Sequence, residues 1–240
     1  MTSPATPAPR TQPPGGLSSL PGWERPLAVV AHPDDESFGL GAVLSAFVDA
    51  DATPAVLCFT HGEASTLHGR PGDLRQLRAQ ELRDAARELK IDTVRLLDEP
   101  DGSLADIEQD LLIAEVTATA RTHAADGLLV FDLGGVTGHP DHDAATRAAL
   151  GAAEVSGLGV LAWTLPADVT AVLNGEFGAG FVGREPDTID VVLPVDRARQ
   201  RTAVAAHPSQ AVPGSVLWRR LDLLGDREHL RWLRQGPGPR

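Results

Sequence analysis

Short apolar runs alternate with longer helical stretches along most of this chain, and that alternation constrains its fold more than any other feature. Runs at 27–31, 54–60, 93–97, 127–131 and 159–164 read as strands. Helical stretches fill the gaps at about 37–50, 74–90, 107–123 and 142–153. In the second of these, Leu74, Leu77, Leu82, Ala85, Ala86 and Leu89 share one face, with arginines and glutamates opposite. The pattern predicts an α/β protein with a parallel sheet and helices on both faces. Right-handed crossovers leave few topologies. In the common strand order 3-2-1-4-5, the first and fourth strands lie side by side. Their C-terminal ends then open into the crevice where such sheets bind ligands. Beyond about residue 165 the pattern is less regular: 188–194 reads as a strand, and 196–206 and 216–234 as helices.

A chain of 240 residues suits one large domain, placed here at 26–234. Residues 1–25, marked by Pro13-Pro14-Gly15-Gly16, and residues 235–240 read as flexible tails. The formal charge of −12 opposes binding to phosphate backbones, so nucleic acid is not an expected partner. A single cysteine, Cys58, excludes an intrachain disulfide, a Cys₄ or Cys₂His₂ zinc site and an iron–sulfur cluster. Cys58 lies inside an apolar run and reads as a core residue. No apolar stretch approaches the ~18 residues that span a bilayer, and the first 25 residues lack a signal peptide's apolar core, so the expected compartment is the cytoplasm. Trp218 and Trp232 are candidates for packing on the core or on a second subunit, and a homo-oligomer is compatible with the sequence.

The chemistry-bearing residues gather after the first and fourth strands. The first ends in His32-Pro33-Asp34-Asp35-Glu36. A dinucleotide-binding protein would place glycines there, and three acids would repel a pyrophosphate. Helix capping accounts for one acid, not for three and an imidazole. The fourth strand leads into Gly134-Gly135-Val136-Thr137-Gly138-His139-Pro140-Asp141-His142-Asp143. Pro140 fits a first helical turn, and His139 and His142 are spaced to be neighbours on it. Each cluster alone is a weak signal; two converging on one crevice are a candidate metal site. Imidazole and carboxylate without thiolate suit zinc with an open position, and iron(II) in a two-histidine, one-carboxylate set is the competitor. Among the other histidines, His61 is a candidate for the pocket wall. His68, His123 and His229 read as surface residues, and His207 as a capping or packing residue.

The two segments His32-Pro33-Asp34-Asp35-Glu36 and Gly138-His139-Pro140-Asp141-His142 resemble the paired signatures of the PIG-L/LmbE-like zinc deacetylases. Supporting matches are Thr60-His61-Gly62-Glu63, Arg78-Ala79-Gln80-Glu81, Asp101-Gly102 and His207-Pro208-Ser209-Gln210, so the resemblance runs over about 27–210. It implies a Rossmann-like three-layer αβα fold with a mostly parallel sheet. It also implies that His32, Asp35 and His142 bind zinc and that Asp34 is the general base for the metal-bound water. His139 would act on the oxyanion or donate a proton, with Asp141 holding its ring. Arg78 and Asp101 would contact sugar hydroxyls. One position departs from the pattern: mycothiol-type members carry a tyrosine where Thr137 stands, and the chain has no tyrosine at all.

The expected function is zinc-dependent hydrolysis of the N-acetyl amide of an N-acetylglucosamine-type small molecule. One alternative keeps the site and changes the substrate to a thiol-conjugate or secondary-metabolite amide. Another is a non-catalytic metal- or sugar-binding protein, which would need neither Asp34 nor His139.

Overall fold

The computed structural model describes residues 19–66, 73–134 and 136–236. Five strands and their crossover helices come first: β1 (Pro26–Val30), α1 (Asp35–Phe38), α2 (Gly41–Asp49), β2 (Ala55–Thr60), α3 (Leu74–Glu88), β3 (Thr93–Glu99), α4 (Gln109–His123), β4 (Gly127–Phe131), α5 (Pro140–Ser156) and β5 (Gly159–Pro166). Then follow α6 (Ala167–Phe177), β6 (Gly183–Arg184), β7 (Val191–Pro194), α7 (Ala198–Ala205), α8 (Val216–Leu224) and β8 (Arg227–Arg234). The sheet order is β3-β2-β1-β4-β5-β8-β7, with β6 paired to β5. β1 to β5 are parallel, and β8 runs antiparallel to both β5 and β7. The expected α/β three-layer architecture and the 3-2-1-4-5 order are both observed.

Two apolar layers follow from the period of two along each strand. On β1, Leu27 and Val29 point to one face, and Ala28 and Val30 to the other. β2 and β4 repeat this, with Leu57 and Phe59 against Val56 and Cys58, and Leu128 and Val130 against Leu129 and Phe131. The layer holding Leu27 and Val29 includes residues of α4 and α5; the opposite layer includes residues of α2 and α3. Strands buried on both faces read as continuous apolar runs, which is why they were legible in the sequence. Helix α5 meets the sheet through Ala144, Ala145, Ala148, Ala149, Ala152 and Ala153. These short side chains let its N-terminus lie close to the ends of β1 and β4.

Three expectations are corrected. The stretch at 37–50 is two helices, broken at Gly39-Leu40. The stretch at 216–234 is helix only to Leu224; Gly225, at φ 60° and ψ −126°, ends it, and Arg227–Arg234 forms β8. A backbone in that region is open to glycine and strained for other residues, so the chain reverses there. His229, expected on the surface, is buried on β8 beside Thr164 of β5. His68 lies outside the described residues.

Residues 1–25 were read as a tail, yet Trp23 is packed. Its ring stacks on Phe47 at 6.0 Å and meets Trp232 edge-on at 5.6 Å. It also covers Gly127, where an added Cβ would sit 2.0 Å from the indole. The proline-rich composition of the segment masked one large apolar side chain with a sheet end to cover. Trp23→Ala is therefore expected to lower the unfolding free energy by about 1–2 kcal/mol, as for a half-buried aromatic. Urea unfolding measures this, and an unchanged midpoint would place the segment outside the folded unit.

Candidate functional site

β1 and β4 are neighbours, paired at Pro26↔Gly127, Leu27↔Leu128 and Ala28↔Leu129. The loops after them therefore emerge together at the C-terminal edge of the sheet. From the first, His32 and Asp35 turn inward; from the second, His142 comes from the first turn of α5. His32 Nδ1 lies 3.1 Å from His142 Nε2, and His142 Nε2 lies 3.2 Å from Asp35 Oδ1. Those separations are near the ~3.3 Å edge of a tetrahedron whose metal–ligand bonds are ~2.0–2.1 Å. The three side chains can thus offer one donor atom each to a single cation.

The outer partners fix which nitrogens face that point. His32 Nε2 lies 3.0 Å from Asp101 Oδ1 and 3.3 Å from Asp141 Oδ2. Two carboxylates at Nε2 demand a proton there and leave Nδ1 for a ligand bond. This is the carboxylate–histidine arrangement that orients metal ligands. His142 Nδ1 is 3.1 Å from Thr137 Oγ1, which leaves its Nε2 on the inner side. Asp35 is held through its other oxygen, which accepts the backbone N–H groups of Ala31 and His32 at 3.2 and 2.9 Å.

The electrostatics of the cluster favour positive charge at its centre. Burial would lower the His32 pKa, but Asp101, Asp141, Asp35 and Asp34 around it push it up to about 10. Burial would raise Asp35, yet His142 and His32 hold it well below the usual carboxylate range. Asp101 and Asp141 are likewise held low by His32 against their own burial. A metal ion would compete with the His32 proton for Nδ1 and release it.

The three consecutive acids diverge to three partners. Asp34 Oδ2 pairs with Arg78 Nη2 at 2.9 Å. Burial pushes its pKa up to about 6, with Arg78 opposing and Asp35 adding to the rise. Its backbone sits at φ 121°, ψ −27°, a strained region for any residue with a Cβ. Glu36, fully buried, holds that geometry: one oxygen accepts the Asp34 N–H at 2.9 Å and the other meets His207 Nε2 at 2.8 Å. Glu36 is thus a brace and not a ligand.

Several sequence-based roles change. Asp141 was expected to hold the ring of His139 through its carboxylate. Instead that carboxylate accepts the N–H groups of Gly102 and Leu104, at 2.8 and 3.0 Å, and faces His32. It is the backbone N–H of Asp141 that donates to His139 Nδ1, at 3.2 Å, with His139 as the N-cap of α5. Burial and the neighbouring His32 and His142 hold the His139 pKa below its ordinary value, Asp141 pulling the other way. With Nδ1 accepting, the neutral ring carries its proton on Nε2.

Arg78 and Asp101 border the cavity, as a sugar contact would, but both Arg78 Nη atoms and both Asp101 oxygens are engaged by protein, and Arg78 Nε alone is buried without a partner. Arg78 donates to the carbonyls of Gly62 and Pro33 besides Asp34, and Asp101 Oδ2 accepts the Ala64 N–H at 2.7 Å. A Cβ at Gly62 would fall 2.0 Å from Arg78 Nη1, so that glycine makes room for the guanidinium. His61 turns to Asp98, at 3.0 Å, and does not border the cavity. Cys58 is a buried core residue whose thiol is pushed well above its ordinary pKa by burial. The segment at 207–210 braces the site: besides His207 on Glu36, Ser209 donates twice to Glu81, one turn along α3 from Arg78.

Sequence reasoning missed Glu36 as the partner of His207, Thr137 as the partner of His142, and Arg220. Glu36 and His207, 171 residues apart, meet only through the fold, and so does Arg220 with the cavity; Thr137 lies five residues before His142, and only the turn of the chain into α5 shows their contact. The cavity that contains the cluster measures about 490 Å³, and its wall includes Phe38, Phe131, Gln210 and Arg220.

The Glu36–His207 pair makes stability depend on pH. Burial would lower the His207 pKa, but Glu36 outweighs it, and the net shift is upward from 6.5. A histidine raised in the folded state contributes its full stabilisation below the unfolded value and loses it as pH rises through the folded value. The stability gap between wild type and His207→Gln should therefore be largest near pH 6 and shrink above ~6.5. Thermal melts of both proteins across that range test it; a pH-independent gap would mean that folding leaves the His207 pKa unshifted.

The family model described as GlcNAc-PI de-N-acetylase (PIG-L) matches residues 27–153. The 1D-myo-inositol 2-acetamido-2-deoxy-alpha-D-glucopyranoside deacetylase of Kineococcus radiotolerans is 30% identical over 163 residues, covering 54% of this chain and 45% of that protein. The chain spans about half the length of such curated relatives. Among solved structures, the A40926 pseudoaglycone deacetylase Dbv21 superposes with a TM-score of 0.68 at 21% identity, covering 87% of this chain and 96% of that one. The 4-carboxy-2-hydroxymuconate hydratase GalB of Pseudomonas putida does so with 0.69 at 16% identity, covering 90% and 99%. At those identities the likeness is one of fold, and the two proteins' different reactions leave the chemistry to be argued from the site. The match over more than half of its residues, with both signature segments inside it, shows that the chain belongs to the PIG-L family.

Proposed function

We propose that this chain is a metal-dependent amide hydrolase that removes the N-acetyl group from an N-acetylglucosamine-type substrate. One observation carries the reading: a His32, Asp35 and His142 triangle with a second, non-ligating carboxylate, Asp34, adjacent in the chain. Two imidazoles and one carboxylate fit zinc with a fourth position open, and iron(II) accepts the same set. When bound, such an ion supplies Lewis acidity, polarising the acyl carbonyl and lowering the pKa of a water toward ~7.

The protein's own groups do the rest. Asp34 accepts a proton from the attacking water; a carboxylate raised to about 6 suits that task near neutral pH. Water adds to the acyl carbon, and the C–N bond breaks as the proton is delivered to the departing nitrogen, giving acetate and a free amine. Arg78 and the Glu36 brace keep Asp34 in place while its charge changes. His139, with Nδ1 fixed as an acceptor, offers Nε2–H to the carbonyl oxygen as negative charge develops there. Asp101 and Asp141 hold His32, and Thr137 holds His142. The sugar part of the reading rests on the reaction named for the Kineococcus relative and on a cavity of about 490 Å³, in the size range of small-molecule sites. No helix among the described residues is long and apolar enough to cross a membrane.

Metal content and turnover separate the roles. Wild type should bind one equivalent of zinc and release amine from N-acetylglucosamine or a glycoside of it. His142→Ala should lose the metal, whereas Asp34→Asn should keep it and lose about 10²–10⁴ in kcat. Elemental analysis beside an amine-release assay reads both, and near-wild-type turnover by Asp34→Asn would remove it as the base.

His139→Ala is expected to keep its zinc and lose about 10²–10³ in kcat with little change in KM, the signature of a donor engaged mainly in the transition state. Loss of zinc from this variant would make His139 a ligand. An unchanged kcat would place it outside the reaction.

A further inference from the structure

Three arginines are buried among the described residues: Arg78, Arg197 and Arg220. Arg78 pairs with Asp34, and Arg197 with Glu228. Arg220, on α8, pairs with no carboxylate among the described residues. Its Nη2 donates to the Phe38 carbonyl, and its buried Nε has no partner. The guanidinium carbon lies over the Trp163 ring, 5.0 Å from its centre, against a rigid core side chain. It borders the same cavity as His32, Asp35 and His142.

The nearby acids are committed elsewhere. Glu228 is held by Arg197 and by Trp163 Nε1, at 2.7 Å. Asp34 is held by Arg78, and Asp35 by His142 and two backbone N–H groups. A buried cation without a hydrogen-bonded anion is costly, and a planar guanidinium is the side chain best suited to take a carboxylate on two donors.

We propose that Arg220 receives a carboxylate carried by the substrate, so that the cavity selects acidic N-acetyl amino sugars over neutral ones. This rests on the deacetylase reading for the identity of the sugar, not for the anion site itself. The state of the guanidinium agrees: burial lowers its pKa to about 10, with Glu228 opposing and Arg197 adding to the fall. Arg220 lies beyond the matched family segment, 27–153, on a helix from the less regular part of the sequence. The inference is therefore about this chain's own substrate choice.

The test is calorimetric binding, with amine release measured in parallel. The probes are N-acetylglucosamine and three acidic relatives: N-acetylmuramic acid, N-acetylglucosaminuronic acid and an N-acetylglucosaminide with a carboxylate on its aglycone. Wild type should bind at least one acidic probe tenfold or more tightly than the neutral sugar. Arg220→Gln should lose that preference, and Arg220→Lys should restore part of it. The acidic-to-neutral ratio is the readout, because a variant that merely loosens the Trp163 contact weakens both probes together. No acidic preference in wild type, or a ratio unchanged in Arg220→Gln, would overturn the assignment. Acidic preference without amine release from any probe would keep the anion site and remove the deacetylase reading. Amine release with equal affinity for all probes would do the reverse.

Discussion

The pairing of β1 with β4 is the constraint on which the site depends. Neither the His32 loop nor the first turn of α5 contains a metal site by itself; the sheet order places them side by side. The pairing puts two strand ends one sheet spacing apart, about 4.8 Å, which is the span of a metal and its ligands. The alanine face of α5 then matters as much as the histidines. Larger side chains at Ala144, Ala145 or Ala148, all in the packed layer beneath the helix, would lift its N-terminus and carry His142 away from His32.

The acids of the first loop diverge because Asp34 sits outside the helix in a strained backbone conformation, while Asp35 and Glu36 are successive helical residues rotated by ~100°. Consecutive positions therefore cannot serve one partner. Asp35 faces the metal point, Asp34 faces Arg78, and Glu36 faces the buried His207. The strain at Asp34 is tolerated because Glu36 accepts its N–H while Ser37 and Phe38 donate to its carbonyl. This also explains a charge balance that a count of acids hides. The anions of the cluster face cations or backbone N–H donors from the loop after β1, α3, the segment at 207–210 and the loop after β3.

Much of this was legible in the sequence, and for stated reasons. Strands buried on both faces leave uninterrupted apolar runs, and residues at the ends of neighbouring parallel strands meet. Those two rules give the sheet order and bring together His32, Asp35 and His142. What was not legible has a common cause. β8 reads Arg-Glu-His-Leu-Arg-Trp-Leu-Arg, with Leu230 and Leu233 at helical spacing and charges between them, and it follows a helix. Its strand character comes from tertiary pairing with β5 and β7, where Glu228 is buried because Arg197 and Trp163 meet it. Likewise the Asp141 carboxylate could be assigned to the nearby His139 on sequence alone. Only the fold shows that the loop after β3 offers two N–H groups at better geometry.

Thr137 shows how one position can change the outer shell without changing the metal ligands. Its hydroxyl lies beside His142 Nδ1, so its contact is with a ligand's outer nitrogen. A tyrosine at this position would place its hydroxyl several ångströms further from the backbone and reach into the cavity instead. With threonine, that volume stays open, and in the proposed reaction oxyanion donation would fall to His139 and the cation. A donor set reduced in this way raises the weight of each remaining member. It also leaves room at the cavity wall formed by Phe131 and Phe38, whose carbonyl holds Arg220. Under the proposed function, discrimination between substrates would fall less to the residues that would hold the metal than to Arg220 of α8, at the opposite wall of the cavity.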